Sequence, residues 1–297
     1  LEVWDPDLPQ PRNILPPPMN VPMLPDLPNW SWHEYGMRVG FWRMFKALKD
    51  RGINSTLALN ATVVDHYPET VEAAMKENWE PMGHGYIQRP MHKVENQFVD
   101  IKSAIKKIKN FTKQDVIGWE SPGLTETNDT LDILSDNGIK YTANWPVDDL
   151  PQDLKVKSGK RMITLPYPIE INDVVMTSVQ VHKSDEIFTR GKLQFDRLYK
   201  EAEENTKTLI EQLQKNISGF SKVNISYEII HGSKINIVNN IIRDKSDIGY
   251  LVIASNNKGE SPGELVEFIS KSGFSIPVVV IPGDINNDNI DKLVGIK

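Results

Sequence analysis

The chain has 297 residues, a formal net charge of −6, no cysteine, and apolar and charged shares of 39% and 25%, as in a soluble globular protein. The acidic balance argues against a general nucleic-acid binder, and the lack of cysteine removes disulfides, thiolate metal sites and cysteine nucleophiles. No run of about eighteen apolar residues is present, so no membrane span is expected. The chain starts at Leu1 without a signal-peptide pattern, and the expectation is a cytoplasmic protein.

Nine prolines fall between Asp5 and Pro28, which excludes a regular helix or central strand and predicts an extended arm lying over a surface. Val39, Trp42, Phe45 and Leu48 then repeat at helical spacing, with Gly52 after them. Thr56 to Leu59 reads as a strand, Val71 to Asn78 as a helix, and Trp79 to Met82 as a strand leading into Gly83-His84-Gly85. Val94, Phe98, Ile101, Ile105 and Ile108 fall on one helix face. Strands follow at Val116 to Gly118, Lys140 to Asn144 and Met162 to Leu165, with a helix from Leu131 to Asn137. This alternation predicts an α/β fold with a parallel sheet or a β/α barrel, whose chemistry sits at the C-terminal ends of the strands. His84, the pair Trp119-Glu120 and the pair Asn144-Trp145 all fall at such ends.

The chain changes character near residues 200–210. All seven tryptophans lie at or before Trp145, and residues 207–297 carry ten basic and ten acidic side chains, so the net charge belongs to residues 1–206. Two modules, 1–206 and 207–297, are expected, with a helix from Asp185 to Asn216 running through the junction. In the second module Val223 to Ile230 alternates as a strand, Ile235, Val238 and Ile242 make a helix face, and Tyr250 to Ala254 and Val278 to Ile281 read as buried parallel strands. Ser261-Pro262-Gly263-Glu264 has the form of a capping box with Pro262 at the first helical position. The order predicts half of a doubly wound parallel sheet.

Three stretches carry a family resemblance: Asn29 to Gly40 (NWSWHEYGMRVG), Gly83-His84-Gly85, and Gly118 to Thr127 (GWESPGLTET). Together they resemble the polysaccharide deacetylase (NodB-homology) family, in the branch that also holds metal-independent allantoinases, over residues 1–206. The resemblance implies a distorted, here partial, (β/α) barrel that hydrolyses an amide-type C–N bond of an N-acyl carbohydrate or a small cyclic amide. It makes Glu2, in Leu1 to Asp5, the carboxylate that activates water or holds a metal. His84 matches the family's first histidine, but the residue four further on is Gln88. Glu120-Ser121-Pro122 stands where the family has Arg-x-Pro, Trp145 matches the tryptophan lining the pocket, and the final Leu-x-His strand expected after Phe195 to Tyr199 is absent.

The resemblance thus makes Glu2, His84 and Glu120 catalytic candidates, and Trp119, Trp145 and His92 substrate-binding candidates. Any zinc-like ion would draw on Glu2, His84 and His92, with no third ligand beside the first two because Gln88 is a poor zinc donor. His92 precedes a helix and reads first as a cap or surface residue, with entry into the pocket as a ligand the second reading. The second module resembles the C-terminal half of the universal stress protein family in Tyr250 to Ser255, the Ser261 helix start and Pro277 to Pro282. Its loop with Gly259, Ser261 and Gly263 is too short for that family's phosphate loop, so ATP is not expected, although an anion at the Ser261 helix start is compatible with the pattern. The expected partners are a small-molecule or oligosaccharide substrate and a second copy of the chain in a homo-oligomer, with neither nucleic acid nor membrane. The competing reading is an inactive stress-response or interaction protein whose second module mediates dimer contacts.

Overall fold

A computed structural model describes residues 1–8, 15–21, 23–217, 226, 228–230, 232–257 and 261–285. The chain divides into two compact units, Leu1–Glu204 and Asn205–Lys297.

The first unit is built on a six-stranded sheet of β1 (Thr56–Leu59), β2 (Glu80–Gly83), β3 (Gly118–Trp119), β4 (Tyr141–Thr142), β5 (Gln152–Leu154) and β6 (Met162–Thr164), in the order β1-β2-β3-β4-β6-β5. All neighbours run parallel except β5, which is antiparallel to β6. The sheet is open among the described residues, as a partial barrel requires. One register row runs across it: Leu59 opposes Gly83, Gly83 opposes Trp119, Trp119 opposes Thr142, and Thr142 opposes Thr164. The residues just past that row are therefore delivered to one rim. Residues 1–3 lie along the outer side of β1, where the Leu1 nitrogen donates to the Ala58 carbonyl and the Asn60 N–H donates to the Leu1 carbonyl at 3.0 Å.

Helices α3 (Val63–His66), α4 (Pro68–Lys76), α5 (Gln97–Thr112) and α6 (Thr130–Asp136) fill the crossovers. Asn96 caps α5 by accepting from the Val99 N–H at 3.1 Å, and α5 buries Ile101, Ala104 and Ile108 completely. The expected α5 face is only partly realised. Val94 ends a 3-10 turn before the helix, and Phe98 is 46% exposed with the Lys102 ammonium 5.5 Å from its ring centroid. The proline-rich arm is also shorter than expected. Helix α1 (Leu27–Tyr35) begins inside it, capped by Asp26, and continues through a π-helical stretch, Gly36–Gly40, into α2 (Phe41–Lys49). Pro28 is tolerated because it sits in the first turn, where its missing N–H has no intrahelical partner to lose. Strand β5 and a second π-helical stretch, Val175–Val179, were not expected from the sequence.

Helix α7 (Glu186–Ile217) includes the point of division between the units. The second unit holds α8 (Lys234–Asp244), β7 (Leu251–Ala254), α9 (Glu264–Lys271) and β8 (Val278–Ile281), and β7 pairs parallel with β8. These strands are less buried than their apolar runs suggest: Val252 and Val279 are 57% and 47% exposed, because a two-stranded sheet leaves faces uncovered. The expected capping box is not formed. Gly263 is the N-cap of α9 with φ +98°, so Ser261 and Pro262 precede the helix, and the Ser261 hydroxyl donates instead to Glu267 Oε1 at 2.5 Å. The strand read at Val223 to Ile230 falls mostly outside the described residues, and its described members form no strand.

Candidate active site

The tripeptide Gly83-His84-Gly85 follows β2 at the rim, and its glycines have steric reasons. A Cβ on Gly83 would lie 2.5 Å from the Trp119 ring. Gly85 has φ +76°, and a Cβ there would lie 2.8 Å from Pro122. The chain thus passes between the Trp119 indole and Pro122, and the His84 ring is fixed at its exit, only 4% exposed. Its main chain is tied to β1 by the His84 N–H donating to the Leu59 carbonyl at 3.0 Å. The fully buried Asn60 holds the other side: its Nδ2 donates to the His84 carbonyl and, at 3.0 Å, to Gln88 Oε1, while its Oδ1 accepts from the Val3 N–H at 2.9 Å.

His84 Nδ1 lies 2.6 Å from the Glu120 carbonyl. A carbonyl only accepts, so Nδ1 carries the proton and Nε2 is the nitrogen left for chemistry. Nε2 lies 3.4 Å from Glu2 Oε1. Glu2 Oε1 also accepts from Gln88 Nε2 at 3.0 Å, and Oε2 accepts from Trp4 Nε1 at 2.9 Å. Burial would raise the Glu2 carboxyl, but the hydrogen bond and positive charge of His84 outweigh it, and the group is held below its ordinary range.

Glu120 behaves oppositely. Burial pushes its carboxyl up, opposed by the charge of His84 and by a hydrogen bond with Tyr167. The Tyr167 hydroxyl, pushed up to about 12 by burial and the Glu120 charge, accepts from Asn172 Nδ2 at 2.7 Å. His33 stacks on Trp4 with centroids 4.3 Å apart, and its buried Nε2 has no hydrogen-bond partner among the described residues. Burial lowers its pKa, so the ring stays neutral. Tyr167 and His33 received no role from the sequence. Tyr167 follows β6, so extending the strand-end rule to that strand finds it; His33 lies within the first resembling stretch, but nothing in its spacing distinguishes it.

Glu2, His84 and Glu120 therefore come together at the rim, but the substrate-binding candidates do not form one group. Trp119 is fully buried beneath Gly83 and donates its Nε1–H to Ser121 Oγ at 3.0 Å. It is a core residue, and the expectation that it stacks on substrate is corrected by that burial. Trp145 and His92, the latter in the 3-10 turn Met91–Lys93, line a separate cleft of about 470 Å³ with Leu124, Glu126 and Leu131. In the second unit, Gly259 lies outside the described residues, and the displaced Ser261 and Gly263 do not form the expected helix-start site.

A zinc ion wants three protein ligands and an open position. Here Glu2 and His84 face each other directly, Gln88 turns its amide N–H toward Glu2, and His92 belongs to the other cleft. Both Glu2 oxygens already accept hydrogen bonds, and no cluster of three His, Asp or Glu side chains suited to a metal occurs among the described residues. The donor set of Glu2, His84 and His92 does not fit a zinc site.

Comparison with known proteins places the fold. Residues 33–142 match the family model described as polysaccharide deacetylase. A Schizosaccharomyces pombe protein named as a candidate polysaccharide deacetylase is 24% identical over 198 residues, covering 61% of this chain and 62% of its own. The crystal structure of a probable polysaccharide deacetylase from Pseudomonas aeruginosa PAO1 is 28% identical with a TM-score of 0.55, covering 61% of each chain. The PuuE allantoinase structure shares the fold, at 23% identity and a TM-score of 0.56 over 73% of this chain and 77% of its own. The chain thus spans about six-tenths of the length of the first two. Among the described residues no helix is long and apolar enough to cross a membrane.

Proposed function

We propose that the polysaccharide deacetylase domain of this chain hydrolyses an amide C–N bond, in an N-acyl carbohydrate or a small cyclic amide. The observation that carries the reading is the register row that sets His84 and Glu120 side by side, with Glu2 on His84 Nε2. With Nδ1 protonated, Nε2 of the neutral ring carries the lone pair, so the proton-accepting role falls to His84; the hydrogen bond and charge of the imidazolium then hold the Glu2 carboxyl below its ordinary range once that proton has arrived. In this reading His84 Nε2 takes a proton from the attacking water as its oxygen bonds to the acyl carbon. Glu2, remaining ionised, stabilises the imidazolium so formed. The C–N bond then breaks, and the proton passes from His84 to the leaving nitrogen. Glu120, with its raised carboxyl, is a second proton carrier at the same rim.

The test is hydrolysis of tri-N-acetylchitotriose and of allantoin by the purified chain, with and without a chelator. The expected outcome is turnover of one probe that survives chelation. His84→Ala should lower kcat by about 100-fold or more and Glu2→Gln by about 10-fold, within the range of general acid–base catalysis. Turnover of neither probe, or unchanged rates in both variants, would defeat the reading.

A further inference from the structure

The cleft beside Trp145 contains one acidic side chain to which the motif reading gave no role, Glu126. Its position is fixed from both sides. Thr125 Oγ1 accepts from the Met91 N–H at 2.8 Å, and Thr127 Oγ1 accepts from Gln97 Nε2 at 2.9 Å. Thr130, fully buried, ties the same turn by accepting from the Thr127 N–H at 2.9 Å and donating to Gln97 Oε1 at 2.7 Å. Asn144 fixes the carboxyl itself. Its Oδ1 accepts from the Ser121 N–H at 2.7 Å, which sets the amide orientation, and its Nδ2 therefore donates to Glu126 Oε1. The other oxygen, Oε2, is buried and has no hydrogen-bond partner among the described residues. A buried polar atom without a partner is costly, and a site that keeps one is arranged for something else to complete it.

We propose that Glu126 is a specificity-determining, ligand-binding residue of this cleft: Asn144 anchors the carboxyl through Oε1, and a rotation of the side chain uncovers Oε2, which solvent does not otherwise reach, for a hydroxyl or amide group on the edge of a ring that lies against Trp145. The cleft volume suits a single ring, within the range of small-molecule sites. Burial, opposed by the Asn144 hydrogen bond, pushes the Glu126 carboxyl up to about 7. Near neutrality it can both donate and accept, as a hydroxyl does. The other titratable group lining the cleft is His92. The proposal rests on the C–N hydrolase reading, in which the cleft seats the part of the substrate beside the scissile amide.

The experiment measures binding of tri-N-acetylchitotriose and of allantoin by calorimetry, with turnover read in parallel, for the full chain and its Glu126 variants. Glu126→Ala should weaken binding of the recognised probe about tenfold or more and raise KM to match with little change in kcat. Glu126→Gln, which still accepts from Asn144 and presents an amide to the ligand, should stay within about threefold of wild type. If the alanine variant does not fold, Glu126→Asp, which draws the carboxyl back by one methylene, should weaken binding in the same direction. Wild-type affinity in the alanine variant, or in the aspartate variant where it replaces it, overturns the proposal, as does failure of the wild-type chain to bind either probe. His84→Ala separates the two readings, since it should abolish turnover and leave affinity intact. Glu126-dependent binding without turnover in the wild type would refute the hydrolase reading and leave this one standing.

Discussion

His84 owes its position to two neighbours without side chains, and this is where the sequence was most legible. Glycines on both sides of an imidazole at a strand end signal a close approach of the backbone, and the residues that make it, Trp119 and Pro122, crowd both glycines. Gly83→Ala should therefore cost about 1–3 kcal/mol, because Trp119 is fully buried and cannot swing away. Urea unfolding followed by tryptophan emission would measure it, and an unchanged midpoint would show that the indole is free to move. The residues misread or overlooked share a different property. Trp119 belongs to a type that stacks on ligands and fills cores with equal ease, and only its burial decides between the two. His33 takes its meaning from Trp4, Tyr167 from Glu120 and Glu126 from a loop hydrogen bond with Asn144, distant partners that leave no spacing in the sequence.

At the scale of elements, the strand-helix alternation was readable because apolar periodicity records burial directly. The ends of the elements were less so. Asp26 starts a helix inside a stretch whose prolines argued for an arm, and Gly263 turns a promising capping sequence away from its helix. Helix α5 shows the limit of periodicity: Phe98 and Ile101 are three apart and satisfy the same pattern, yet one is 46% exposed and the other fully buried. Ile101→Ala should cost about 2–5 kcal/mol through the cavity it leaves. Phe98→Ala should cost under about 1 kcal/mol, chiefly its contact with the Lys102 ammonium. Chemical denaturation of the two variants checks the helix phase; equal losses would mean that the helix is turned differently about its axis.

At the scale of the whole molecule, the composition shift near residue 206 concentrates every tryptophan in residues 4–145, so tryptophan emission reports on the unit Leu1–Glu204 alone. That gives a clean reading of the proton linkage at Glu126. Its carboxyl rises from an ordinary value of 4.5 to about 7 in the folded chain, because burial disfavours the charged form. The folded state then binds the proton more tightly than the unfolded one, and the stability contributed by this group is complete below about 4.5. It declines as the pH climbs toward 7 and is flat beyond, where both states are ionised. The lowered carboxyl of Glu2 acts below 4.5, but Glu120 is shifted in the same direction as Glu126, so the wild-type curve alone does not isolate Glu126. The difference between wild type and Glu126→Gln does, since glutamine keeps the Asn144 contact and does not ionise. Wild type should lose stability relative to the variant between those two pH values and run parallel to it above them. A difference that stays constant from pH 4.5 to 7 would mean that the carboxyl is ionised throughout and that Oε2 finds a charged or hydrated partner in solution.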